Sequence, residues 1–304
     1  MAGHEHGEVR RDAAIIPVKF EYVTPATLEE AIGLLTDHAG ASVVAGGQSL
    51  VPAMTVRRTA PSMLVDVRRI KGLRGISAAG TSGDLHVGAA TTLAEIADDA
   101  RIRSGFATLA EAAEASGDPQ VRNRGTIGGS LADGHPAGDI IAAAIALDAV
   151  ITLTGPSGAR EVPAADFVTG PYETVRRAGE IVTGIAFPAP SGDRSSAYVK
   201  QRHPGSGYAI CGVAAALIVH GGKIQSARVA ITGATGHPTR LEGAEEAATG
   251  TAVGQAAAAV EAAVVRSRLH FTTDLGASAA YRKHLAGVLA GRAVAIATQR
   301  GGAA

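Results

Sequence analysis

Apolar positions along this chain recur in two rhythms, and the balance between them shifts twice. In the opening part, Phe20-Glu21-Tyr22-Val23 reads as a strand that Thr24-Pro25 ends. Thr27 with Glu30 three residues on is a capping box, in which Thr27 caps a helix and Glu30 reaches back. Leu28, Ile32 and Leu35 then share one helical face, and Gly40 closes the helix. Ser42–Val44 is the next strand, so residues 18–50 form a β-α-β unit. Ala60-Pro61 breaks the chain before a further strand over Met63–Val67.

From residue 84 the pattern becomes mixed. Asp84–Ala89 reads as a strand in which His86 is an ordinary member. Thr92 and Glu95 repeat the capping box, with Leu93, Ile96, Ala97 and Ala100 on the apolar face. Phe106–Ala115 is a helix that Asp118-Pro119 stops, and an unbroken apolar run extends from Ile140 to Leu147. Ala149–Leu153 leads into a hairpin tip at Gly155-Pro156-Ser157-Gly158. Glu180–Phe187 is a strand ended by Pro188, and Pro188–Gly192 reads as a linker.

The last third runs strands first and helices afterwards. Ala197–Lys200, Tyr208–His220 and Lys223–Thr232 read as three antiparallel strands. Gly221-Gly222 supplies the positive φ of a tight hairpin. Helices over Val253–Leu269 and Ser278–Ala297 follow. The order predicts an α+β protein. A tail covers 1–16, a first domain 17–190 is divided near residue 70 into parts 17–70 and 71–190, and a C-terminal domain of a three-stranded antiparallel sheet plus helices covers 191–304.

Composition narrows the classes. The 304 residues are 46% hydrophobic and 18% charged, which suits a globular protein of two or three compact units. Lys plus Arg and Asp plus Glu both number 28, a balance that argues against nucleic acid or an anionic membrane surface as the main partner. No apolar run approaches the length of a membrane span. The first dozen residues hold no apolar core of a secretory signal and read as a solvated tail. One cysteine, Cys211, excludes an internal disulfide and a four-thiolate iron–sulfur cluster within the chain. It sits in the apolar run Ala209–Val219 and reads as a small buried hydrophobe.

Two glycine-rich stretches carry the candidate chemistry. Val43-Val44-Ala45-Gly46-Gly47-Gln48-Ser49-Leu50 is a short strand, two glycines and small polar residues. Thr126-Ile127-Gly128-Gly129-Ser130 has the same design and leads towards Asp139. Neither is the GxGxxG turn of a Rossmann fold, nor a Walker A loop. Glycines let backbone N–H groups approach a ligand, and such turns favour an anionic group such as a diphosphate. Two of them can clamp one long dinucleotide from both sides, although each alone also fits an ordinary turn.

The pair, at this spacing, resembles the FAD-binding medium subunit of the molybdenum hydroxylases, the xanthine dehydrogenase and carbon monoxide dehydrogenase family. The resemblance runs from about Pro17 to about Ala297. It implies a two-part PCMH-type FAD domain, like that of the vanillyl-alcohol oxidases, and noncovalent FAD. It assigns Ala45, Gly46, Gly47, Gln48, Ser49, Leu50, Thr126, Ile127, Gly128, Gly129, Ser130 and Val182 to the cofactor, with backbone amides of both loops on the diphosphate and Asp139 on a sugar hydroxyl or bracing the turn. It further implies that Lys200 lies near the flavin and that Tyr208 covers the isoalloxazine.

The chain departs from the family pattern at Ser130, where asparagine is common. It departs again at Asp133-Gly134-His135, where histidine and the first aspartate have exchanged places. The resemblance implies a cytoplasmic heterotrimer, paired into a dimer of heterotrimers. A large molybdopterin subunit would oxidise the substrate and a small subunit would carry two [2Fe–2S] clusters. This chain would pass electrons to NAD, a quinone or oxygen, touching a membrane only indirectly if a quinone accepts them. The stretch from Lys200 to Ile210 leans towards the carbon monoxide dehydrogenase-like branch. A self-sufficient FAD oxidase and a flavin-free scaffold subunit are the alternatives.

Overall fold

A computed structural model describes residues 16–79, 83–189 and 194–301. The expected tail therefore lies almost wholly outside the described residues, as does most of the expected linker Pro188–Gly192. Three units follow one another along the chain.

In the first, β1 (Glu21–Val23), α1 (Leu28–Asp37), β2 (Ala41–Val44), α2 (Leu50–Thr55) and β3 (Met63–Asp66) form a parallel sheet in the order β1-β3-β2. The last strand thus enters between the first two. Thr27 caps α1 by accepting the Glu30 N–H at 3.2 Å. Glu30 reaches back to the N–H of Ala26 at 2.8 Å, one residue earlier than a standard box. The helix ends at Asp37, with His38 already extended, so Gly40 belongs to the turn rather than to the cap.

The second unit comprises β4 (Ile76–Ala79), β5 (Asp84–Gly88), α3 (Leu93–Asp98), α4 (Ala100–Gly105), α5 (Ala107–Ala115), α6 (Pro119–Arg122), α7 (Ile127–Asp133) and α8 (Asp139–Ala146). It continues through β6 (Val150–Gly155), β7 (Gly158–Pro163), α9 (Ala164–Phe167), β8 (Val168–Gly170), β9 (Glu173–Thr174) and β10 (Ile181–Phe187). Its main sheet is antiparallel in the order β4-β5-β10-β6-β7. Thr92 and Glu95 make the complete capping box. Asp118-Pro119 does more than stop a helix: Asp118 caps α6, with proline in its first turn, where a missing N–H costs nothing.

The third unit is β11 (Arg194–Arg202), β12 (Ala209–His220), β13 (Lys223–Thr232), β14 (Thr239–Arg240), α10 (Glu242–Ala248), α11 (Val253–Arg266) and α12 (Ala279–Gly301). The sheet runs β11-β12-β13-β14, so a two-residue strand joins the three expected, and α10 precedes the two expected helices. Gly221 and Gly222 turn the β12–β13 hairpin at φ 56° and 72°.

Strand β12 explains its own composition. Its odd-numbered residues Cys211, Val213, Ala215 and Leu217 pack in a core with α11 and α12. Its even-numbered residues Ala214 and Ala216 join Tyr198 and Ala230 in the core of the second unit. A strand covered on both faces reads as a continuous apolar run rather than an alternation. Helix α8 lies against this sheet and is buried along its whole length, which is why Ile140–Leu147 shows no polar stripe.

Candidate functional site

The two glycine loops meet. Gly46, just beyond β2, lies so close to the second loop that a Cβ built on it would fall 2.2 Å from the Arg124 carbonyl oxygen and 2.7 Å from Gly125 Cα. Only glycine permits that approach. Gly47 follows with φ +71°, in the left-handed region. Among the described residues, the N–H groups of Gly47, Gln48 and Ser49 donate to no protein acceptor. Three successive free donors in such a turn form a concavity suited to phosphate oxygens.

The second loop is built differently from the expectation. Ile127 donates its N–H to Thr91 O at 3.1 Å and Gly128 to Ala89 O at 2.9 Å. Gly129 donates to Thr126 Oγ1 at 3.1 Å, the N-cap of α7. These amides are already satisfied, so the loop offers surface and the Thr126 hydroxyl proton rather than a row of free N–H groups. The reason is tertiary: the loop is stitched to the chain that follows β5.

Between the first and second units the loops line a groove of about 530 Å³. Ala45, Gly46, Gly47, Gln48, Ser49, Leu50, Thr126, Gly128, Gly129, Ser130 and Val182 all lie on its wall. Ile127 does not; its side chain is fully buried in the core. Arg58, Asp133, Tyr172, Arg176 and Ile181 also line the groove, and the sequence reading did not assign them to it. Burial pushes the Asp133 carboxyl up, against the pull of the Ser49 hydroxyl and of Arg58. Burial also lowers Arg176, whose Nη1 donates to Glu180 O at 3.3 Å.

A second cavity of about 540 Å³ begins at Tyr172, which lines both spaces. Tyr208, His135, Ile210 and the buried Arg282 lie on its wall. The Tyr208 ring stacks on His135, centroids 4.2 Å apart and planes 8° from parallel. Tyr172 meets the same imidazole edge-on at 5.1 Å, and the Arg58 guanidinium covers the Tyr172 ring at 4.7 Å. Burial, assisted by Arg58, lowers His135 to about 4, so this imidazole is neutral at pH 7.

Asp139 and Lys200 line neither cavity. Lys200 Nζ donates to Asp139 Oδ2 at 2.8 Å and to Ala115 O at 3.0 Å. Tyr198 donates its hydroxyl to Asp139 Oδ1, and Ser116 Oγ donates to Oδ2 at 3.2 Å. Ser196, Tyr198 and Lys200 are alternate residues of β11 and so share the face turned to α5 and α8. Burial raises the Asp139 carboxyl, opposed by Lys200 and both hydroxyls. Asp139 therefore ties α8 to β11, with Lys200 as its ion-pair partner. Cys211 is fully buried, its thiol pushed up to about 12. Among the described residues no group of three or more His, Cys, Asp or Glu side chains is placed to hold a metal, and no helix is long and apolar enough to cross a membrane.

The family described as the FAD binding domain in molybdopterin dehydrogenase matches residues 18–190. The CO dehydrogenase flavoprotein C-terminal domain matches residues 196–297. The carbon monoxide dehydrogenase medium chain of Hydrogenophaga pseudoflava is 35% identical, over 94% of this chain and 99% of its own. The nicotine 6-hydroxylase medium subunit of Paenarthrobacter nicotinovorans is 31% identical, over 92% of this chain and 97% of its own. Among solved structures, carbon monoxide dehydrogenase from Hydrogenophaga pseudoflava lacking the Mo-pyranopterin moiety superposes with a TM-score of 0.89 at 36% identity, covering 94% of this chain and 99% of that one.

Proposed function

The chain belongs to the FAD-binding medium subunits of the molybdenum hydroxylases, and we propose that it is the electron-transfer subunit of a carbon monoxide dehydrogenase-like complex. In this reading it stands between a small subunit with [2Fe–2S] clusters and an acceptor, while a large molybdopterin subunit oxidises the substrate. The flavin, when bound, supplies a carrier able to take up electrons singly and give them up in pairs.

The observation that carries the reading is the contact of the two glycine loops at Gly46, above a groove with three free amides. The N–H groups of Gly47, Gln48 and Ser49 hold the diphosphate. The hydroxyls of Thr126 and Ser130 add hydrogen bonds from the facing loop. Leu50, Ile181 and Val182 give the groove an apolar wall. Past Tyr172 the space opens towards Tyr208, which supplies a flat face for the isoalloxazine. Asp139 and Lys200 support this arrangement from behind by tying α8 to β11, the strand that leads into the Tyr208 loop.

The carbon monoxide branch is favoured by 35% identity over nearly the whole of both chains. The nicotine hydroxylase subunit at 31% shows that the same kind of chain serves another substrate. In this reading specificity resides in the large subunit. The acceptor is NAD, a quinone or oxygen, and the complex is a cytoplasmic dimer of heterotrimers in this account. Anaerobic addition of carbon monoxide, an aldehyde, a purine or an N-heterocycle to the purified complex tests it. Bleaching of the flavin bands by one of them, and their return on adding an acceptor, is the expected result. Flavin bands that respond to none of the four reductants, in a complex that retains molybdenum, would contradict it.

A further inference from the structure

His135 joins three parts of the chain through one small ring. It lies between α7 and α8 in the second unit, stacks on Tyr208 from the β11–β12 loop of the third, and receives the edge of Tyr172 from the β8–β9 turn. Its Nδ1 accepts the Ala137 N–H at 2.9 Å, which fixes the orientation of the imidazole relative to the backbone leading into α8. A neutral ring suits that role, because the accepting lone pair is free only in the neutral form. Tyr172 is itself constrained, with φ +62° and Arg58 over its outer face.

Tyr208 alone would not be held. It sits on a loop, and it is 43% exposed. An exposed tyrosine samples several side-chain rotamers. A parallel imidazole 4.2 Å away covers one ring face of a residue that stays 43% exposed. A further planar ring laid on the opposite face takes the same plane. Ordering the platform in advance spares the ligand the entropy of ordering it on arrival.

We propose that His135 is a positioning residue for the flavin: it sets the plane of Tyr208 and through it the seat of the isoalloxazine. The inference rests on the reading that Tyr208 covers that ring.

Two variants of the complete purified complex separate ring from backbone roles. His135→Asn keeps an acceptor for the Ala137 N–H and removes the ring. His135→Phe keeps a ring and removes the acceptor. In His135→Asn the visible bands of bound FAD are expected to shift, and reoxidation of substrate-reduced flavin to slow about tenfold. His135→Phe is expected to recover both. In a Tyr208→Leu background the His135→Asn change should have almost no further effect, since the two act as one unit. Wild-type bands and rate in His135→Asn would overturn the inference, as would equal impairment of both variants or additivity with Tyr208→Leu. A wild-type complex that holds FAD while His135→Asn is unchanged removes only this inference. A wild-type complex without FAD removes the reading beneath it.

Discussion

Lys200 Nζ lies 2.8 Å from Asp139 Oδ2, a buried ion pair formed across 61 residues of sequence between β11 and α8. Each side chain is about 95% withdrawn from solvent. The pair joins the C-terminal domain to the flavin domain. It lies outside both cavities, so its first effect is on the docking of the two domains rather than on the ligand.

Removing one partner leaves the other charge buried without compensation, which costs about 3–5 kcal/mol. Lys200→Met and Asp139→Asn are each expected to lower the unfolding midpoint strongly. The double variant Asp139→Asn/Lys200→Met removes both charges and is expected to be milder than the sum of the single changes. Urea unfolding of the three proteins measures the coupling. Strict additivity would show that the pair contributes nothing of its own.

Gly46→Ala puts a methyl group into the Arg124 carbonyl, so the two glycine loops must part. Overpacking of this kind costs about 1–3 kcal/mol, enough to weaken FAD retention by about tenfold. FAD content after gel filtration should fall while the C-terminal domain, remote from the contact, keeps its fold. Full FAD content would disconnect the loop contact from cofactor binding.

His135 gives a dependence on pH. Its value falls from 6.5 to about 4 on folding. Above pH 6.5 neither state is protonated and the native state has its full stability. Between 6.5 and about 4 the unfolded chain takes up a proton that the native imidazole refuses. Stability is lost across that window by up to about 1.4 kcal/mol per pH unit. The difference in unfolding free energy between wild type and His135→Phe should therefore move in favour of the variant as pH falls from 6.5 to 4. A difference independent of pH would contradict the burial of the neutral ring.

Glu180 works in a lower window. Arg160 donates Nε and Nη2 to it at 2.7 and 2.8 Å, and the Arg177 N–H adds a third bond at 2.7 Å. With Arg160 as the main cause, its carboxyl falls from 4.5 to about 2. Its contribution is present above pH 4.5 and lost as pH falls towards 2. Glu180→Gln is expected to cost on the order of 2 kcal/mol at pH 7. The cost should disappear by pH 2, as measured by denaturant titration at each pH. An equal cost at both ends would assign the effect to packing instead.

What was legible in the sequence was local. The Thr92–Glu95 box, the hairpin tip at Gly155–Gly158 and the Gly221-Gly222 turn each depend on residues a few positions apart, and each formed. The two glycine loops were legible because close backbone approach leaves a mark in residue type. What was hidden depends on distant partners. The amides of Ile127 and Gly128 are consumed by Thr91 and Ala89, which no pattern within the loop reveals. Arg58 and Tyr172 reach the groove through tertiary placement of two turns that look like ordinary surface. The exchange of aspartate and histidine at 133 and 135 marked a departure in sequence. Only the fold shows that Asp133 faces the groove while His135 backs Tyr208.

The visible absorption spectrum of the purified complex, taken with iron and molybdenum assays on the same sample, tests the flavin assignment most directly. The expected result is flavin bands that acid releases as free FAD, equimolar with this chain and accompanied by both metals. A complex that retains its partner subunits and metals but carries no flavin would contradict it.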